Sequence, residues 1–328
     1  MVLRGFLKLL NRGVNVSQGR HYKPKNLLMI LMLAPYLVLL FLFGILPLIM
    51  AIFNVPSKSP SNPNGGWKVF SIVLHDFRLV PAAEHVLGFM AIFVPLMIFF
   101  VVAMSLMLDV NSAPWKKYVR LAYIVPACVS GSVAVLLWYV LLEPTLSPFK
   151  SVMHWLGITQ ASQIWKTQNL TFILAFMAFF AMAGQWILIQ FGSLQSISTE
   201  ILEAARVDGC SQFQMAMRIK LPLIRKYVIY MSVLVFAGGL QIFVEPQLLN
   251  TSIYAGIANQ WSFDQLSYSL AFQNGNFGEA SALSLMLLVP SLIGALLVIY
   301  KTDMFEDVTL KSPKKLAKEA RKREAARA

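Results

Sequence analysis

The sequence predicts an all-α membrane protein built on six transmembrane helices. Three observations carry that expectation. The 328 residues are 57% hydrophobic and only 13% charged, with mean hydropathy +0.64, against about 25% charged residues in an ordinary soluble domain. Six apolar stretches, at 27–53, 85–108, 119–142, 170–192, 227–249 and 281–300, meet the roughly 20 helical residues that a bilayer crossing needs. The connecting segments also alternate in basic charge. Residues 1–26, 109–120, 193–226 and 301–328 hold 23 of the 28 Lys and Arg, whereas 54–84, 143–169 and 250–280 hold five. The positive-inside rule puts the first set, with both termini, in the cytoplasm of a multi-pass plasma (inner) membrane protein.

The elements follow in chain order. Residues 1–26 form a basic cytoplasmic segment, and 27–300 form the six-span domain. The first apolar run exceeds the roughly 7–15 residues of a signal peptide, so it reads as a retained span. Pro35, Pro47, Pro95 and Pro126 lie in or near spans, where neighbouring helices can satisfy the carbonyls that a proline frees. Ser57 to Gly66 is a turn-rich outer linker. Trp67 to Ala83 then has apolar residues at helical spacing, which predicts a short helix on the outer interface. After the last span, 301–328 is a basic tail with Lys314, Lys315, Lys318, Arg321, Lys322, Arg323 and Arg327. It reads as a solvated arm, with attraction to anionic lipid as the alternative.

Composition and motifs exclude several functions. The net charge of +13 flanks spans and makes no patch interleaved with aromatics, which argues against nucleic acid. High apolar content excludes disorder. Cys128 and Cys210 are too few for a disulfide scaffold or a cysteine metal site, and with Cys128 in the outer part of the third span and Cys210 in a cytoplasmic loop they should not pair. No P-loop, H-E-x-x-H, C-x-x-C or G-x-S-x-G occurs, and His21, His75, His85 and His154 are scattered. No catalytic residue, metal or cofactor is therefore expected in this chain. Ionisable residues within spans are nearly absent, so a lone ion-coupled transporter lacks its relay and any pump must draw energy from a partner.

The loop between the fourth and fifth spans, about 193–226, is the most informative segment. Ser198 or Thr199 can cap a first helix, with Glu200 and Glu203 in its first turns, where the helix dipole favours acids. Gly209 supplies a left-handed stop. Ser211 with Gln214 makes a capping-box pattern for a second helix, and Pro222 should end or kink that helix before the fifth span. The first helix carries Ala204 and Ala205, whose small side chains permit close approach to a groove on a partner. A packed connector is the plain alternative.

Glu203-Ala204-Ala205, Asp208-Gly209, Ile219 and Leu221-Pro222-Leu223 resemble the E-A-A loop of permease subunits of binding-protein-dependent ABC importers. Gly192 to Ala205 is similar to the G-L-Q-S-I-P-x-E-L-Y-E-A-A of the carbohydrate, maltose-type branch, with Ser198 in place of proline. Tyr123 to Pro126, Trp138 and Glu143-Pro144 resemble that branch's third-span pattern, and Phe272 to Ala282 its F-x-x-x-x-F-G-x-A-A-A stretch. The resemblance implies a type I ABC importer permease fold with a cytoplasmic coupling helix. It implies ATPase coupling through Glu203, Ala204, Ala205, Asp208 and Gly209. It also implies a second homologous permease, an ATP-binding cassette ATPase dimer that holds ATP and Mg, and an extracytoplasmic solute-binding protein. The solute is then a sugar or oligosaccharide, with a glycerophosphodiester or other sugar-like solute as the alternative. Two departures stand out. Asn250 to Asn259 replaces a Gly-Gly-Pro turn, and the positions matching the branch's solute contacts are Ala178, Ala181, Met182, Gln185, Val235 and Gly239, of which only Gln185 is clearly polar. Gln185, Trp186, Gln190, Gln241 and Glu245 are the candidates for lining a pathway, with interhelical hydrogen bonding as the alternative role. Glu245 could equally reach outer water.

Overall fold

The computed structural model describes residues 26–59, 62–63, 65–110, 116–129, 131–252 and 260–302. The basic segment 1–25, most of the 250–259 loop and the tail from residue 303 lie outside the described residues. Among those described, the regular structure is helical, apart from one isolated bridge between Ser59 and Asn62.

The chain divides after Met50 into two units. The first holds α1 (Asn26–Leu40), a π-helical turn (Phe41–Ile45) and the start of α2 (Leu46–Asn54). Its described side chains are exposed or nearly so. Pro35 sits inside α1 without breaking it.

The second unit begins with the outer linker, in which Asn62 ties Ser59 and Gly66 together by hydrogen bonds. α3 (Val69–Leu74) follows, shorter than the helix expected over 67–83, because the chain turns at His75–Arg78. Asp76 drives that turn. Its carboxylate accepts from the Arg78 amide at 2.9 Å and from the Arg78 guanidinium at 2.6 Å, and the latter holds the Asp76 carboxyl below its ordinary range. α4 (Leu79–Val110) then carries the second span through Pro95.

The third span is not one helix. α5 (Lys116–Cys128) and α6 (Gly131–Leu142) replace the continuous 119–142 expected from hydropathy. Pro126 has no amide to donate, and the Val129 amide closes a turn on the Pro126 carbonyl at 3.2 Å instead of extending the helix. Two short helices follow, α7 (Lys150–Trp155) and α8 (Ala161–Ile164). α9 (Thr167–Gln195) is the fourth span and the hub of the bundle, packing on α4, α5 and α6. Its Leu174 and Ile187 are buried in one apolar cluster with Phe89, Phe93, Met231 and Val235. Because lipid tails are as apolar as these side chains, fit and dispersion hold such helices together more than transfer from water.

After the loop come α12 (Leu221–Leu240), α13 (Val244–Ser252), α14 (Phe263–Tyr268) and α15 (Phe277–Thr302). Among the described residues, five helices are long and apolar enough to cross a membrane, and the shorter apolar α6 lies in the expected third span. Trp261 stacks on His85 with ring centroids 5.4 Å apart. Gln265 accepts from the Trp261 amide at 3.1 Å and donates to Gln247 at 3.1 Å, which fixes the end of α13 to α14.

Candidate functional site

The 198–225 loop folds as its residues dictate. α10 (Thr199–Val207) begins at Ser198 in the N-cap position, although the Ser198 side chain makes no capping bond. Its C-terminus closes as a Schellman motif: the Cys210 amide donates to Ala205 and the Gly209 amide to Arg206, both at 3.0 Å. Gly209 has φ +76°, which is why glycine stands there. Ser211 then opens α11 (Gln212–Gln214) with a complete capping box. Its hydroxyl accepts from the Gln214 amide at 3.3 Å, and its own amide donates to Gln214 Oε1 at 3.0 Å.

Pro222 does not end this second helix. A π-helical turn, Met215–Lys220, joins α11 to α12, and Pro222 occupies the first turn of α12. A proline near a helix start forfeits no hydrogen bond, and the wider turn before it absorbs the register change.

The five coupling candidates divide by exposure. Glu203, Ala204, Asp208 and Gly209 are exposed, beside Val207 at 88% and Phe213 at 75%. Ala205 faces inward at 7% and does not contribute to that outer face. The loop is thus a helix closed at its C-terminus, with a mixed apolar and charged surface turned away from its own chain.

Beneath it lies a group of residues that sequence reasoning missed. Lys220, 5% exposed, pairs its ammonium with the Asp109 carboxylate near the end of α4. Asp109 also accepts from Gln195 Nε2, at the end of α9, at 2.7 Å. Leu106, Leu194, Ala216 and Ile224 form an apolar cluster of the same three elements and the arm. Asp109 and Lys220 are 111 positions apart, so only their occurrence as lone charges at span ends hinted at a pairing.

The pathway candidates do not converge in one place. Gln185 and Gln241 are exposed, and Gln241 caps the C-terminus of α12. Trp186 and Gln190 are buried inside this chain and do not line its surface. Trp186 stands edge-on to Tyr230 at 6.0 Å, and Gln190 Nε2 meets the Met231 sulfur at 3.9 Å. Glu245 is half-buried in the first turn of α13, where the helix dipole favours a carboxylate. Ala178, Val235 and Gly239 are buried. An apolar cleft of about 370 Å³ opens between α5, α6 and α9, lined by Val125, Pro126, Trp138, Met177, Phe180 and Ala181. Among the described residues no cluster could hold a metal ion.

No family model matches the chain. It is 25% identical over 269 residues to the probable ABC transporter permease protein YurN of Bacillus subtilis, covering 80% of this chain and 91% of that one. It is 26% identical over 288 residues to the diacetylchitobiose uptake system permease protein NgcF of Streptomyces coelicolor, covering 80% and 78%. Similarity to the maltose/maltodextrin permease MalF of Yersinia pestis is 26% over 253 residues, covering 71% of this chain and 46% of that longer protein. A chain from the crystal structure of a bacterial ABC transporter that imports the acidic polysaccharide alginate superposes with a TM-score of 0.73. It is 20% identical and is covered to 97%, with 86% of this chain. The resemblance read from the loop therefore extends along most of the chain. Its relatives are ABC transporter permeases, and its fold is that of an ABC importer permease.

Proposed function

We propose that this chain is the permease subunit of an ATP-driven importer, forming half of a membrane passage for a sugar or oligosaccharide. One observation carries the reading. Among the described residues on the basic side of the spans, α10 faces outward, closed by Gly209 and exposing Glu203, Ala204 and Asp208. A short helix closed by a C-terminal turn and apolar on part of its outer face suits insertion into a cleft on another protein. With no P-loop of its own, the chain takes its energy from that partner, an ATPase that binds ATP and Mg. A second permease completes the passage, and a solute-binding protein delivers cargo from outside.

The likeness to uptake systems for diacetylchitobiose and maltodextrin favours a carbohydrate solute. The outer segments carry five basic and five acidic residues, so they offer no cationic surface for a phosphorylated solute. The test is to purify the complex through a tag on this chain and then to measure uptake of labelled disaccharides and oligosaccharides in vesicles. Co-purification of a P-loop ATPase and a second multi-span chain, with ATP-dependent uptake of one sugar, is the expected result. Isolation of the chain alone, active without ATP, would sink the reading.

A further inference from the structure

A lysine is almost never fully buried unless it is paired. Lys220 is buried at the end of the π-helical turn, directly before α12, and its partner Asp109 is equally enclosed, with the two side chains 6% and 8% exposed. Gln195 adds a hydrogen bond to the same carboxylate. One point therefore ties together the ends of the second and fourth spans and the start of the fifth, one short arm away from Gly209.

We propose that the Lys220–Asp109–Gln195 group is the joint that makes the second and fourth spans follow the coupling loop when a partner moves it. The inference rests on the importer reading above. Of α10 itself only Ala205 is buried, so the loop grips its own bundle through the arm from Ser211 to Lys220, where Met215 and Ala216 are also buried. Apolar contact such as the Leu106, Leu194, Ala216 and Ile224 cluster is non-directional and lets helices slide. An enclosed ion pair braced by a third side chain fixes both distance and direction. The π-helical turn widens the helix where Lys220 is presented, so the joint and the irregularity coincide. The three residues act through position, and none of them reaches the outward face of α10.

The test uses the whole complex, purified through a tag on this chain with Cys128→Ser and Cys210→Ser and reconstituted in vesicles. Nitroxides at Met107→Cys on α4 and Met217→Cys on the arm, both exposed, read the distance across the joint. The measurement is made without nucleotide and after trapping with ATP and vanadate. With the joint intact, one narrow distance is expected in both states. Lys220→Met and Asp109→Asn keep that distance without nucleotide, held by the apolar cluster, and gain a second, longer population on trapping. Asp109→Lys combined with Lys220→Asp restores the single distance, an outcome that a role in folding alone does not give. If Lys220→Met fails to assemble, Gln195→Leu removes the brace only and broadens the trapped distance. A single unchanged distance in the single-charge variants, or a splitting with the joint intact, overturns the proposal. Absence of any ATPase from the unmutated complex is a separate result that removes the importer reading, and the proposal with it.

Discussion

Two glycines show how one residue type answers two different demands. Gly209 has φ +76° with open space around it, so a Cβ there meets strain and no clash. Gly209→Val should cost about 1–2 kcal/mol or more locally, since L side chains resist the left-handed region. It should loosen the ATPase on co-purification, while Gly209→Asn, tolerant of that region, retains it. Gly278 is the reverse. Its φ is ordinary, but a Cβ would sit 3.0 Å from Ser57 Oγ and 3.1 Å from the Asn54 carbonyl. Gly278→Ala should lower the melting point of the purified protein in detergent, at a cost of about 1–3 kcal/mol from overpacking. Gly209 was legible in the sequence, because a helix start and a capping box bracket it. Gly278 stood in a recognised pattern, but its reason, the close approach of α15 to the 54–57 backbone, was not. Asp264 was legible only as a charge. Burial pushes its carboxyl up to about 6, so the folded chain holds that proton more tightly than the unfolded chain. Stability at this residue is present at low pH and is lost as pH rises through about 6. Asp264→Asn should therefore raise the melting point at pH 8 and leave it unchanged at pH 4.

The helix ends of the loop separate position from bonding. Ser198 and Ser211 both stand at N-caps, as their sequence contexts predict, yet only Ser211 makes the side-chain bond. Ser211→Ala should cost about 1 kcal/mol and speed exchange of the Gln214 amide about fivefold. Ser198→Ala should leave exchange in the first turn of α10 unchanged. Amide exchange with peptide-level resolution reads both. Where proline was concerned, sequence reasoning failed in opposite directions. Pro222 was expected to end or kink a helix; the helix does not end there, because the π-helical turn before it takes up the mismatch. Pro126 was expected to sit within one long span, and the helix stops two residues later. A proline's effect depends on whether the wall around it can satisfy the freed carbonyls. That is a property of the neighbouring helices and not of the proline's own segment. The Lys220–Asp109 pair was hidden for the same reason, since hydropathy and periodicity read one segment at a time.

The broken third span matters for the path of the whole chain through the bilayer. Five long apolar helices are an odd number, and an odd number of crossings would put the basic 109–120 and 193–226 segments on opposite sides. The charge pattern requires them on the same side. The conflict resolves if α5 and α6 together make one crossing. At 13 and 12 residues and 1.5 Å per residue, each is ~20 Å long or less, too short alone for a core of about 30 Å, while in sequence they suffice. α7 then lies outside, with Trp155 84% exposed, and Cys210 lies inside. In a Cys128→Ser background, Trp155→Cys should react with a membrane-impermeant maleimide added to intact cells. Cys210 in the same chain should not react until the membrane is opened. Cys128, at the end of α5, lies about 20 Å of helix from the basic side that holds Cys210, too far for a disulfide, which needs Cα atoms within about 7 Å, and both cysteines are free. Labelling of Cys210 but not of Trp155→Cys from outside would mean that α5 and α6 turn back without crossing, since α9 still crosses between them. The E-A-A loop would then face away from the cytoplasm, where no ATPase could reach it.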